Sequence, residues 1–128
     1  MKRSEIKNKY GGRCGYCGGH LGNSFNTDHI VPIYRNCSDE ELKRRGIIRG
    51  TNDFDNLIPS CFSCNSYKKT MPVEVFRQEL SKLTERLNRD SSIYRIAKRY
   101  GMIVEHKPSI LFHFEILEIE KGVLKLTQ

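Results

Sequence analysis

Short apolar clusters set between polar turns dominate the first half of the chain. Residues 25–34 (FNTDHIVPIY) are dense in β-branched and aromatic side chains and predict a strand broken by Pro32. Residues 56–60 (NLIPS) predict a second short strand. A short basic helix is expected over residues 2–10. Between the strands the chain is polar, with one helical candidate from Asp39 to Arg45 capped by Ser38. Another helix is expected near residue 61, carrying Cys64, Asn65 and Lys68 in its first turns. Beyond residue 70 the period changes. Val73, Phe76, Leu80, Leu83 and Leu87 fall on one helical face, which predicts a single helix from Pro72 to about Leu87 with a core-facing stripe. Asp90 or Ser91 is placed to cap a helix from Ser92 to Tyr100, and Gly101 to end it. Met102 to Glu105 and Ile110 to Ile119 read as strands, and Lys121-Gly122 as a hairpin turn into Val123 to Leu126. The expected fold is α+β. Residues 1–70 form the core, and residues 71–128 form a C-terminal elaboration of the same compact domain, made of helices and a short β-hairpin.

The chain has 128 residues, which suits one ordinary domain. Its 22 Lys and Arg against 15 Asp and Glu leave a net charge of +7 and point to a polyanionic partner. That charge is uneven. Residues 1–20 carry +4 and residues 66–100 carry +5, while residues 21–65 and 101–128 each carry −1. No apolar run approaches the roughly 18 residues of a membrane-spanning helix, and no apolar leader follows Met1, so a cytoplasmic protein without a membrane partner is expected.

Five cysteines change the picture. Four form two C-x-x-C pairs, Cys14/Cys17 and Cys61/Cys64; Cys37 stands apart and reads as a bystander. In a reducing compartment two such pairs point to a tetrahedral four-cysteine Zn2+ site rather than to disulfides. Gly11-Gly12, Gly15 and Gly18-Gly19 flank the first pair and let the backbone turn its amides toward thiolate sulfur. A redox dithiol would need a βαβ setting, which the pattern lacks.

Around the cysteines the chain reads CGYC, TDHIVPI, DNLIPS and CFSCNSYKK, in that order. This series resembles the zinc-stabilised branch of the HNH endonuclease family, over residues 14–69. The resemblance implies a ββα-metal fold, in which two antiparallel strands and a helix hold one divalent cation. Carried over by position, His29 matches the general base and Asp28 a ligand of the catalytic cation. Asn56 matches the middle polar residue that fixes the loop and the orientation of the base. Asn65 stands where the family name has its last His, a variant that the family tolerates. Cys14, Cys17, Cys61 and Cys64 match the structural zinc ligands.

The chemistry can be stated independently. Phosphodiester hydrolysis needs a deprotonated water, in-line attack and a charge-stabilising cation. A histidine near its ordinary pKa of about 6.5 is partly neutral at pH 7 and can accept the proton. Two oxygen donors, Asp28 and Asn65, form a hard, sparse site suited to Mg2+ or Mn2+. Adjacent strand residues point to opposite faces, so Asp28 and His29 share a site only if the strand twists or ends there. Lys68 and Lys69 are candidate phosphate contacts. The expected activity is a metal-dependent DNA endonuclease acting on double-stranded DNA, leaving 5′-phosphate and 3′-hydroxyl ends as the resemblance implies. A homodimer would suit cutting of both strands. The alternatives are a non-catalytic four-cysteine zinc module that binds nucleic acid, and a nuclease subunit of a larger phage or defence assembly.

Overall fold

A computed structural model describes residues 3–107 and 109–122. In chain order the elements are α1 (Arg3–Asn8), β1 (Asn26–His29), α2 (Asp39–Arg44), a single 3-10 turn (Phe54–Asn56), β2 (Leu57–Ser60), α3 (Phe62–Lys68), α4 (Val73–Ser81), α5 (Leu83–Asp90), α6 (Ser92–Arg99) and α7 (His113–Glu120). The described residues form two units. One runs up to Val73 and resumes at Leu111; the other is Glu74–Ile110. The described chain from Leu111 onward thus belongs with the first unit. No helix among the described residues is long and apolar enough to cross a membrane.

The first unit is built on an antiparallel pair. Asp28 lies opposite Ile58 and His29 opposite Leu57. All four β2 residues are buried, whereas those of β1 are half-buried. A small core of Ile6 from α1, Phe25 and Leu57, with Leu21 packed against it, covers one side. The first Cys-x-x-Cys turn lies on the other edge of β2, where Gly15 N donates to Pro59 O at 2.8 Å. A Cβ at Gly15 would stand 2.2 Å from the Ile58 side chain, so only glycine allows this approach.

β1 stops at His29, three residues before the expected break at Pro32. Asn56 replaces the missing ladder partner. Its Oδ1 accepts from Val31 N at 2.9 Å, and its Nδ2 donates to Val31 O at 3.0 Å and to Thr51 O at 2.8 Å. The α2 cap follows the sequence reading, with Ser38 Oγ accepting from Glu41 N at 3.1 Å.

Three expectations fail in the C-terminal half. The single helix from Pro72 to Leu87 is two helices, broken at Lys82. There the Ser81 hydroxyl donates to Gln78 O at 2.6 Å and the Lys82 amide reaches back only three residues, to Glu79 O. The break rotates the apolar stripe: Phe76 is 1% exposed but Leu87 is 41% exposed. The strand expected over residues 110–119 is instead largely helix α7, and residues 102–105 form no strand. Glu115 Oε1 caps Phe112 N at 2.9 Å, and the next amides, of His113 and Phe114, donate to Tyr16 O and Gly15 O. The entry to α7 is thus fixed by the first cysteine turn instead of by a strand partner. Residues 123–126, the other arm of the expected hairpin, lie outside the described residues. α6 forms as expected, with Ser91 Oγ accepting from Tyr94 N and Gly101 at positive φ after its end.

Candidate metal centre and adjoining cleft

Cys14, Cys17, Cys61 and Cys64 converge, their sulfurs all lying within 4.8 Å of one another. Cys17 and Cys61 Sγ are 3.9 Å apart. Zn–S bonds of about 2.3 Å in a tetrahedron require edges of about 3.8 Å, so the cage has the size of a zinc site. Backbone amides of Tyr16 and Cys61 donate to Cys14 Sγ, that of Gly19 to Cys17 Sγ, and that of Cys64 to Cys61 Sγ, each at 3.4 Å. Such donors stabilise thiolate charge. The Cys14 thiol is pulled down to about 4, chiefly by a hydrogen bond from Cys64 and then by backbone amides. Cys64, the proton-holding partner, is pushed up by that same bond and by burial. Four sulfurs at this spacing, three of them accepting backbone amides, are a donor set for a thiophilic cation. Cys37 stands outside the cluster, as its spacing implied.

A cleft of about 290 Å3 opens beside β1, lined by residues that include Asp28, His29, Tyr34, Arg35, Lys68 and Lys69. Ending β1 at His29 lets two adjacent residues line one cleft, which a continuing strand would forbid.

Asp28 is held from two sides. The Tyr16 hydroxyl donates to Asp28 Oδ2 at 2.6 Å, and Lys68 Nζ pairs with the same oxygen at 3.0 Å. Asp28 Oδ1 takes no hydrogen bond from the described residues. Tyr16 is buried within the first cysteine turn, edge-on to Phe112 and Phe114. Its phenol is pushed far above its ordinary range, first by burial and then by the Asp28 charge. The cysteine turn is therefore wired to the cleft through one phenol. The aromatic residue inside C-G-Y-C was the available sequence signal for this link.

Lys68 corrects an expectation. Instead of facing phosphate, its side chain is 1% exposed, and Nζ donates to His29 O at 3.1 Å besides pairing with Asp28. Its ammonium also lies over the Tyr16 ring, 5.7 Å from the centroid. An aliphatic stem that crosses from α3 to β1 reaches two adjacent β1 residues at once, and that geometry buries the charge. Lys69 is exposed on the cleft rim with φ of 53°, a conformation few non-glycine residues adopt.

Asn56 does not touch the His29 ring. It bonds only backbone groups, as described above. The ring partner is Asn52, whose Oδ1 lies 2.8 Å from His29 Nε2. Asn65 sits on α3 directly after Cys64, its backbone bonded to Cys61 O and Lys69 N. It does not line the cleft. Arg49 is tied up within the same unit. Its guanidinium donates to Ile33, Tyr34 and Cys37 carbonyls and pairs with Asp39, so it shapes the cleft wall.

Two antiparallel strands, a following helix and two cysteine turns thus surround an Asp-His pair at a strand end. Residues 14–70 match the HNH endonuclease family. The HNH match spans slightly under half of the chain and coincides with the four cysteines and the cleft. It supports a nuclease kind of activity and a zinc-type four-cysteine site. No curated protein and no solved structure matches the chain.

Proposed function

We propose that the chain is a metal-dependent endonuclease that hydrolyses DNA phosphodiester bonds at the Asp28–His29 cleft. The observation that carries this reading is the coincidence of both residues at the end of β1, in one cleft, inside the HNH segment. His29 is the general base: its imidazole takes the proton of the attacking water. Asp28 presents Oδ1 to a hard divalent cation, Mg2+ or Mn2+, while Oδ2 is occupied by Tyr16 and Lys68. When bound, that cation stabilises charge on the phosphate and on the leaving oxygen. The second ligand that the resemblance assigns to Asn65 would have to reach in from α3, beside Cys64, because Asn65 lies outside the residues that line the cleft. Asn56 holds the β1 exit and so keeps His29 in place. Lys69 and Arg35, on the cleft rim, contact the phosphate backbone without reading sequence. Lys68, being buried, contributes through Asp28.

The test uses supercoiled plasmid with Mg2+ or Mn2+, wild type beside His29→Ala. Metal-dependent nicking or linearisation by the wild type and its loss in the variant are expected. Equal cutting by both proteins refutes the base assignment. Plasmid left intact under either metal, yet retarded on a gel, favours the non-catalytic zinc module. The ratio of nicked to linear product over time, with the solution mass, decides between monomeric nicking and cutting of both strands by a homodimer.

A further inference from the structure

Three consecutive residues reach from the loop before β2 to the exit of β1. Gly50 N donates to Pro32 O at 2.9 Å. Thr51 O accepts from Asn56 Nδ2 at 2.8 Å, the same amide group that holds Val31. Asn52 Oδ1 then meets His29 Nε2 at 2.8 Å. The approach is close: a Cβ at Gly50 would stand 1.9 Å from Val31 O and 2.9 Å from Asn56 Nδ2. The loop turns back at once, with Asp53 N donating to Thr51 Oγ1 at 3.3 Å. Asn52 is exposed, so its hold on the ring comes from the pinned backbone on either side and not from burial.

We infer that Asn52 is the positioning residue of His29, accepting a hydrogen bond from Nε2–H so that Nδ1 keeps the lone pair that takes the proton from water. This rests on His29 being the base. An imidazole is useful as a base only through its unprotonated nitrogen, and the partner on one nitrogen determines which that is. The opposite amide orientation, with Asn52 Nδ2 donating to Nε2, would place the proton on Nδ1 and block it. Asn52 and Asn56 thus divide the work: Asn56 fixes backbone, and Asn52 fixes the ring.

The experiment combines 15N imidazole spectra of the zinc-loaded full chain with plasmid-cleavage kinetics. In the wild type the neutral His29 ring should carry its proton on Nε2. Asn52→Ala should lower kcat about tenfold, the scale of one lost hydrogen bond, with KM unchanged. It should also speed exchange of the His29 Nε2 proton with water. Asn52→Asp keeps an acceptor oxygen and should recover most of the rate. A wild-type proton on Nδ1, an unchanged kcat in Asn52→Ala, or an Asn52→Asp as slow as the alanine variant would overturn the inference. Should His29→Ala cut as well as wild type, the base reading fails by itself. The Nε2 proton signal then still decides whether Asn52 holds the ring.

Discussion

In the first unit, cations cross long stretches of sequence to reach backbone carbonyls. Arg3 bonds Phe25 O, Lys9 bonds Phe54 and Leu57 carbonyls, Arg49 bonds three carbonyls of the 33–37 loop, and Lys68 bonds His29 O. In the Glu74–Ile110 unit they pair mostly with carboxylates close by. Arg77 meets Glu74, Lys82 and Arg86 both meet Glu79, Arg89 meets Asp90, and Lys98 meets Glu105. The first pattern closes loops that no regular element closes. The second decorates short helices, where Arg77 and Arg95 also reach carbonyls, those of Ile110, Asn88 and Arg89. A count of basic residues therefore overstates the charge left for phosphate. Residues 66–100 carry the largest excess, yet most of their cations are paired.

The comparison is tested most severely by removing zinc. A chelator, or Cys14→Ser, withdraws a contribution on the order of 10 kcal/mol. The β1 and β2 amide resonances should collapse while those of α5 and α6 persist. Simultaneous loss of both sets would show that the two units do not differ in this respect. Next in size is Lys68→Met, which leaves the nearly buried Asp28 carboxylate without its cation and should cost about 3–5 kcal/mol in urea unfolding. A midpoint within error of wild type would remove Lys68 from the account.

A pH series probes burial in the first unit. The Tyr10 phenol is pushed up to about 12, mainly by burial and further by Glu118. Above its ordinary pKa of about 10 the unfolded chain ionises first. Stability tied to neutral Tyr10 is therefore full below about pH 10 and is lost as pH rises toward 12. Tyr10→Phe should flatten that part of the melting-temperature profile; an identical slope in both proteins would contradict it. The smallest effect is expected in the second unit, where Arg89→Ala should leave the urea midpoint unchanged because both partners of its ion pair are exposed. A clear loss there would mean that the second unit also depends on its ion pairs.

Local signals carried further for some elements than for others. Ser38 and Ser91 are caps with their oxygens on the expected amides, because a cap depends on residues three positions away. The C-terminal strand prediction failed because Phe112, Phe114 and their neighbours fit strand and helix patterns equally well. The choice was made by Tyr16 and Gly15, about a hundred residues earlier. Leu87 turned outward because the Lys82 break altered the phase of the stripe, and a one-residue break leaves no periodic trace.

The sequence by itself determined the metal cage, the order of strand, strand and helix, and the Asp-His pair. These are encoded by residue type and spacing, which survive without coordinates. Tertiary structure alone decided what each polar group does. It turned Lys68 inward, gave the His29 ring its partner in Asn52 instead of Asn56, and linked the first cysteine turn to Asp28 through Tyr16. The physical reason is that a long polar side chain is bonded by whatever lies within about 3 Å of its tip, and the neighbours at that distance come from elsewhere in the chain.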